Sequence, residues 1–174
     1  MPCAERSTPT PAPALDALFR RLGIDATRHQ HPAVMTVEES ERLVPALPGG
    51  KTKNLFLRDK KGARHFLVTV PARRAVDLAR LGAVLDAGRI GFASAERLQR
   101  HLGVTPGSVS LLALINDTQH AVKFVLDHTL WEAPAVQAHP LVNTATIVLS
   151  HDDLARFLAA TGHAPRIVDV PAAG

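Results

Sequence analysis

The chain has 174 residues, of which 46% are hydrophobic and 21% are charged, and its formal net charge is +4. This is the size of one ordinary domain, with enough apolar side chains for a core. The single cysteine excludes an internal disulfide and a cysteine-rich zinc site. No apolar run is long enough for a signal-peptide core or a membrane helix, so we expect a cytoplasmic protein.

The N-terminal half begins with a proline-rich stretch, residues 1–13, which predicts a flexible tail ahead of a single domain over residues 14–174. Apolar residues then recur at helical spacing from Leu15 to Leu22, and Gly23 is a typical helix end. The elements predicted next are a short strand at Ala26–His31, a helix from a capping box at Thr36 and Glu39 to about Leu43, and a hairpin of strands Asn54–Arg58 and His65–Val70 around Lys60-Lys61-Gly62.

The C-terminal half alternates helices with short strands. Its predicted elements are helices at Val76–Leu81 and Ser94–Leu102, strands at Val122–Asp127 and Ala145–Leu149, a helix from Ser150 to about Thr161, and an edge strand at Arg166–Val168. Apolar and polar residues alternate from Val122 onward, which predicts a strand with one buried face. Hairpins and interspersed helices together favour an α/β domain with a mixed β-sheet and surrounding helices.

Three polar segments lie beside apolar strand-like runs: Lys51–Leu57, Gly103–Ser110 and His139–Thr146. A rigid sheet can present such segments together at its rim. Glycines in the second segment free backbone N–H groups that suit an anion or a carbonyl oxygen. We therefore expect a small pocket for a polar, anionic ligand.

Each segment also has a purely structural interpretation. Lys53 could be a lysine reaching from the sheet edge into water. The glycine loop could be a helix stop, and His139 could be a structural hydrogen-bonding group. Ser108 and Ser110 lack a nucleophile-elbow motif. Nine histidines include the pair His29-x-His31, but no neighbouring cysteine or carboxylate completes a zinc set, so we expect no metal.

The three segments, in this order, resemble the YbaK/ProX family, whose members are freestanding relatives of the editing domain of bacterial prolyl-tRNA synthetases. The resemblance is strongest to the branch that deacylates alanyl-tRNA(Pro), and it runs from about Leu15 to Val168. The matching stretches are Lys53–Leu57, Gly103–Ser110 with Ile115-Asn116-Asp117, and His139–Thr146. One departure is Leu111, where relatives usually follow the loop serine with proline.

The resemblance implies a YbaK/ProX-like fold and a cofactor-free hydrolase that acts in trans on alanyl-tRNA(Pro), with Lys53 and His139 as catalytic residues. Because no carboxylate stands out as a general base, a ribose hydroxyl of the substrate is one alternative proton acceptor. The predicted substrate-binding residues are Val34, Thr36, Asn54, Gly103, Thr105, Gly107, Ser108, Ser110, Asn143 and Thr144.

The predicted partners are the acceptor end of aminoacylated tRNA(Pro) and, transiently, prolyl-tRNA synthetase, with no membrane. The residues predicted to contact the tRNA backbone are Lys51, Lys60, Lys61, Arg73 and Arg74, although such a basic cluster can also be an ordinary solvated surface. Two other functions stay open at this point: a cysteinyl-tRNA(Pro) deacylase of the same fold, and a non-catalytic module that binds tRNA or a nucleotide.

Overall fold

The computed structural model describes residues 13–25 and 27–174. The helices are α1 (Pro13–Leu22), α2 (Val37–Leu43), α3 (Leu78–Val84), α4 (Ala95–Leu102), α5 (His128–Glu132) and α6 (His151–Thr161). The strands are β1 (His29–Gln30), β2 (Thr52–Asp59), β3 (His65–Pro71), β4 (Ile90–Phe92), β5 (Val122–Asp127), β6 (Ala135–Ala138), β7 (Ala145–Ser150) and β8 (Arg166–Val168). Two 3₁₀ helices, Pro106–Ser108 and Leu111–Asn116, connect α4 to the segment before β5.

The strands form two sheets. The larger one has five strands in the order β4-β2-β3-β5-β8, in which β2 runs antiparallel to β3 and β4 while β5 runs parallel to β3 and β8. The smaller sheet is antiparallel, in the order β1-β7-β6. The predicted mixed α/β fold is confirmed, and the Arg166–Val168 strand lies at the predicted edge.

The second sheet was not expected because β6 gives little strand signal. Its sequence, Ala-Val-Gln-Ala, is short and has only one β-branched residue. β4 was missed for a related reason, since it is three residues long with a central glycine. Both strands owe their conformation to pairing partners that are distant in sequence, β7 for one and β2 for the other.

The large sheet is buried on both faces. One face shares the main core with α1, α4, α6 and the small sheet, and it contributes Phe56, Leu67 and Phe124. The other face packs against α3 and the C-terminal segment through a second apolar cluster that includes Leu57, Phe66, Val68, Leu81 and Val170. Burial on both sides makes the sheet a rigid support for residues at its rim.

The prediction that β5 has one buried face was wrong. Only Lys123 on this strand is exposed, whereas Val125 and Asp127 are fully buried with Phe124 and Leu126. The reason is that an apolar cluster packs against each face of the large sheet, with Phe124 and Leu126 in one cluster and Val125 in the other. Asp127 is tolerated there because its carboxylate accepts hydrogen bonds from Arg74 and from the backbone N–H of Val170.

Several local predictions are confirmed, and others need their limits corrected. Ser94 and Ser150 cap α4 and α6, which end at left-handed Gly103 and Gly162. The strand predicted for residues 26–31 is only His29–Gln30, with Ala26 outside the described residues. The helix predicted at residues 76–81 begins later, at Leu78. The tail predicted for residues 1–13 also lies outside the described residues, apart from Pro13, which opens α1.

The capping box at α2 is half confirmed. The Thr36 hydroxyl accepts the N–H of Glu39 at 3.1 Å. The Glu39 carboxylate, however, lies 3.4 Å from the backbone nitrogen of Met35 rather than that of Thr36. Over the described part of the chain, no helix combines the length and apolar character required to cross a membrane.

Candidate functional site

A cavity of about 160 Å³ opens at the start of β2. Its walls come from the segment between β1 and α2, from the first residues of β2, from the 3₁₀ loop and from the end of β6. The lining residues are Val34, Met35, Thr36, Val37, Ser40, Lys51, Thr52, Lys53, Asn54, Ala72, Pro106, Gly107, Val109 and His139. The titratable residues in this set are two lysines and one histidine, so the lining carries cations and a possible base but no carboxylate.

The start of β2 is held in place by β6. Gly49 has a φ of +92°, and a Cβ at this position would lie 2.9 Å from the carbonyl carbon of Ala135, so only glycine fits without displacement. Gly50 then donates its N–H to the Ala135 oxygen at 3.0 Å. The Thr52 hydroxyl donates to the Gln137 carbonyl at 2.7 Å. These contacts fix the positions of the two following residues, Lys53 and Asn54, at the start of β2.

Lys53 and Asn54 are adjacent on β2 and have different environments. Burial lowers the pKa of the half-buried Lys53 ammonium below its ordinary value, and the ion pairs found among the described residues do not include it. The Asn54 side-chain oxygen accepts the hydroxyl of buried Thr69, its partner across the hairpin, at 2.6 Å. That bond leaves the Asn54 amide NH₂ to donate into the cavity.

The wall opposite β2 is the segment from Val34 through α2. Val34 is buried, and its backbone N–H donates to the Asn143 carbonyl at 3.2 Å. Met35 is 66% exposed and reaches over Gly107 of the 3₁₀ loop. Lys51 also lines the cavity, with its Nζ 3.5 Å from the Ser40 carbonyl of this wall. The wall therefore combines an apolar surface with few hydrogen-bonding groups.

His139 lines both this cavity and a smaller polar cleft of about 20 Å³ behind it. Its Nδ1 lies 2.9 Å from the carbonyl oxygen of Ala145. Burial lowers the pKa of His139, the Ala145 hydrogen bond opposes that shift, and the neighbouring His31 adds to it. The net direction is downward, which favours a neutral imidazole near pH 7. A carbonyl can only accept, so Nδ1 carries the proton and Nε2 has a free lone pair.

The glycine loop meets the cavity only in part. Gly107 lies in the lining, together with Pro106 and Val109. Gly103 instead ends α4, and Ser110 is fully buried with its hydroxyl accepting the N–H of Leu112.

The remaining loop residues lie outside the lining. Thr105 is exposed at the start of the first 3₁₀ helix, and Ser108 ends that helix. Leu111, the departure from the family pattern, is fully buried in the main core. The structure therefore brings Gly107 to the cavity but not Gly103, Thr105, Ser108 or Ser110.

Asn143 and Thr144 do not line the cavity, but they hold its wall in place through hydrogen bonds. Their carbonyl oxygens accept the backbone N–H groups of Val34 and His31. The Asn143 side-chain nitrogen lies 3.2 Å from the Met35 sulfur. In the same loop Leu141 has a φ of +66°, a conformation that costs a non-glycine residue on the order of 1–2 kcal/mol. Strain of this kind often accompanies a functional site.

The predicted tRNA-contacting residues are spread over the molecule. Lys51 lies at the cavity, and exposed Arg73 pairs with Glu41 of α2 beside it. Arg74 is bound to buried Asp127 at 2.9 Å. Lys60 and Lys61 are exposed at the far end of the hairpin, and seven residues at about 3.3 Å each put Lys60 roughly 23 Å from Lys53.

Two places could in principle hold a metal. The ligand atoms of Asp127, His128 and Asp169 lie within 4.8 Å of one another. The Asp127 oxygens, however, already accept hydrogen bonds from Arg74, Val170 and Thr129. The second place is the pair His29 and His31, which the sequence analysis weighed against a metal site, and both ring nitrogens of His31 are engaged, with Pro32 and Thr146.

Six lining residues were not anticipated from the sequence: Met35, Val37, Ser40, Thr52, Pro106 and Val109. Ala72, directly after β3, is a seventh. Thr52, Pro106 and Val109 belong to segments that the sequence had already singled out, so each could have been included by proximity. The others are apolar or small residues on elements that meet only in the folded chain, and nothing in their local pattern distinguishes them from core residues.

The family model of the aminoacyl-tRNA editing domain matches residues 31–157. The prolyl-tRNA editing protein ProX of Acetoanaerobium sticklandii is 36% identical over 157 residues, covering 90% of this chain and 96% of that protein. The prolyl-tRNA synthetase associated domain-containing protein 1 of Danio rerio is 41% identical over 156 residues, covering 88% and 84%.

A solved structure of a candidate trans-editing enzyme for prolyl-tRNA synthetase superposes with a TM-score of 0.66 at 21% identity, covering 93% of this chain and 98% of that one. At this identity the superposition supports the fold. The sequence matches carry more, because they extend over most of both chains at more than a third identity. The chain belongs to the aminoacyl-tRNA editing domain family and is an aminoacyl-tRNA deacylase.

Proposed function

We propose that the chain is a freestanding editing enzyme that hydrolyses alanyl-tRNA(Pro). The observation that carries the proposal is the small cavity at one rim of the sheet, which joins Lys53, with no ion pair among the described residues, to the Asn54 amide oriented by Thr69 and to His139, whose Nδ1 lies at the Ala145 carbonyl. Two relatives support the choice of tRNA, since one is named a prolyl-tRNA editing protein and the other a prolyl-tRNA synthetase associated domain protein.

In the proposed complex the ester carbonyl lies at the rim of the sheet, where Lys53 and Asn54, whose side chains leave opposite faces of β2, both line the cavity. The carbonyl oxygen gains negative charge when the ester is attacked, and the Lys53 cation and the Asn54 NH₂ group stabilise that charge. Donors already in place for a developing oxyanion are typically worth about 10²–10³ in rate each. The Thr69 hydroxyl supports this role because it occupies the Asn54 oxygen and leaves the amide hydrogens to the substrate.

His139 is the proposed base. A water molecule forms a bond to the carbonyl carbon while its proton passes to Nε2 of His139. The carbon–oxygen bond to the ribose then breaks, and the ribose oxygen takes the proton, so that the products are free alanine and tRNA with its hydroxyl restored. A lowered pKa supports this role because it keeps the imidazole neutral. Among the described residues that line the cavity, His139 is the side chain with a lone pair suited to take this proton.

The proposed side-chain pocket lies between Val34 and Thr36. A synthetase site built for proline cannot strongly reject the smaller alanine, since a missing methylene is worth only about 1–3 kcal/mol. A second, smaller site solves this problem by admitting alanine and excluding proline. Buried Val34, held by its bond to Asn143, is suited to such a rigid limit. The tRNA acceptor end would lie along Lys51 and Arg73, with prolyl-tRNA synthetase as a transient partner that supplies the mischarged tRNA.

The deciding experiment is a hydrolysis time course with tRNA(Pro) charged with alanine, proline or cysteine. We expect alanyl-tRNA(Pro) to be cleaved much faster than prolyl-tRNA(Pro). Comparable rates on these two would contradict the size-exclusion mechanism. Faster loss of cysteinyl-tRNA(Pro) would assign the enzyme to cysteine, and no hydrolysis of any ester would leave a binding module.

A further inference from the structure

His139 is connected to the buried His31 through a single hydroxyl group. Nε2 of His31 lies 2.9 Å from the hydroxyl oxygen of Thr146, and that oxygen lies 3.5 Å from Nδ1 of His139. The two rings meet edge to face at 6.0 Å. His31 is 9% exposed and Thr146 is 3% exposed, so the connection is shielded from bulk water. Neither residue belongs to the lining of the main cavity.

The positions of the protons in this connection follow from the carbonyl groups, which can only accept hydrogen bonds. Nδ1 of His31 lies 2.9 Å from the Pro32 carbonyl, and Nδ1 of His139 lies 2.9 Å from the Ala145 carbonyl. Each Nδ1 must therefore carry a hydrogen. In a neutral His31 this leaves Nε2 as an acceptor, and the Thr146 hydroxyl donates to it. The hydroxyl has one hydrogen, so towards His139 it can only accept.

Buried hydroxyl groups are costly unless they are hydrogen-bonded, so the Thr146 side chain has one stable orientation here. If His139 carried its hydrogen on Nε2 instead, the Nδ1 lone pair would face both the Ala145 oxygen and a Thr146 oxygen whose hydrogen points at His31. Both contacts would then be repulsive. The network therefore selects one tautomer of His139.

We infer that Thr146 and His31 are positioning residues that hold His139 as the Nδ1–H tautomer, so that its Nε2 lone pair faces the reaction cavity. The inference rests on the proposed function, in which Nε2 takes the proton of water. It goes further because it assigns a positioning role to two side chains that do not contact the substrate in the proposed complex. The wrong tautomer of a catalytic histidine can cost a large factor, up to about 10⁴ in a serine protease.

The variant pair Thr146→Val and Thr146→Ser tests this inference. Valine keeps the shape but removes the hydroxyl, and we expect kcat for alanyl-tRNA(Pro) to fall by about 10-fold or more with little change in KM. Serine keeps the hydroxyl, and we expect it to retain most of the activity. In a His139→Ala background Thr146→Val should add no further loss, because residues that act as one unit are not additive. An equal loss from both substitutions, or a full additional loss in the double variant, would overturn the inference.

The ¹⁵N chemical shifts of the histidine rings report the tautomer directly, without any tRNA. In the wild-type protein at neutral pH we expect His139 to be protonated on Nδ1 and not on Nε2. Thr146→Val should raise the fraction with Nε2–H. A wild-type His139 protonated on Nε2 would refute the inference even if the enzyme is active. A wild-type protein that hydrolyses no ester would refute the proposed function, but the ¹⁵N shifts would still report the tautomer. If Thr146→Val does not fold, the wild-type spectrum alone still tests the inference.

Discussion

Two of the walls of the cavity, the strand wall formed by β2 and the loop wall formed by the 3₁₀ segment and the loop after β6, are built in different ways. On the strand wall, Lys53 and Asn54 are consecutive residues of β2, and their pairing with Val70 and Thr69 sets where each side chain points. On the loop wall, the residues come from the 3₁₀ segment and the loop after β6, and most of the polar groups predicted there bond to the protein itself. Ser110 caps a helix, while Asn143 and Thr144 hold neighbouring backbone.

The comparison shows that a short motif on a strand predicts a functional site more directly than a short motif in a loop. A strand residue has one of two orientations, and burial of the alternate residues decides between them. A loop residue has no such constraint, because its polar groups must first satisfy the loop's own backbone. Glycine and serine in a loop therefore do not by themselves indicate a functional role, and the strand wall should be the more sensitive to substitution.

The largest effect is expected on the strand wall, from Lys53→Ala. Removing the cation that faces the ester oxygen should lower kcat for alanyl-tRNA(Pro) by roughly 10²-fold or more, without unfolding the protein. Lys51→Ala is the matched control, because Lys51 lies two residues earlier with its Nζ near the Ser40 carbonyl. It should mainly raise KM. Near-normal turnover by a folded Lys53→Ala variant would remove the lysine from the mechanism.

The dependence of kcat/KM on pH should separate the two walls. His139 must be neutral to accept a proton, and burial lowers its pKa, so the acid limb should lie below the ordinary histidine value of about 6.5. Lys53 must be protonated, and burial lowers its pKa too, so the alkaline limb should lie below about 10.4. Rates corrected for uncatalysed ester hydrolysis test this. An acid limb that persists in His139→Ala would assign it to another group.

A salt titration extends the comparison beyond the cavity. If Lys60 and Lys61 contact tRNA phosphates, removing both should flatten the dependence of log affinity on log salt, by at most about 2 in slope. Arg21→Ala, at an exposed position of α1 outside the predicted set, serves as the control. Binding that does not vary with salt in the wild-type protein would contradict the electrostatic model as a whole.

On the loop wall, Gly107→Ala should have a smaller effect. The added Cβ would lie 2.8 Å from the Met35 methyl carbon and 2.9 Å from its sulfur. Met35 is flexible and 66% exposed, so it can move aside at little cost in stability. We expect the shifted side chain to narrow the cavity and lower kcat/KM about threefold, in line with modest overpacking. A loss as large as that of Lys53→Ala would mean that the loop wall is the more critical one.

The smallest effect on catalysis is expected from Ser110→Ala. This change removes the cap on the N–H of Leu112 inside the core and should lower the free energy of unfolding by about 1–2 kcal/mol. The rate per folded molecule should hardly change. Ser108→Ala is the matched control, because Ser108 is less buried and no hydrogen bond of its hydroxyl is found among the described residues, so the free energy of unfolding should change by less than about 0.5 kcal/mol. A specific loss of kcat in Ser110→Ala would restore the serine to the reaction.

The sequence alone determined the elements whose signals are local. Helical spacing with Ser94, Ser150 and their glycine ends predicted α4 and α6, and the lysine turn predicted the β2–β3 hairpin, because caps and tight turns depend only on neighbouring residues. The motif that begins at Lys53 could be placed on a strand for the same reason.

Only the tertiary structure decided which of the predicted residues meet. It gave β5 two buried faces by packing an apolar cluster against each side of the large sheet, and it made a strand of β6 by pairing it with β7. It also joined His139 to Thr146 and His31, which lie far apart in the chain. Contacts of this kind depend on packing between distant segments, and the local sequence around each residue does not indicate its partner.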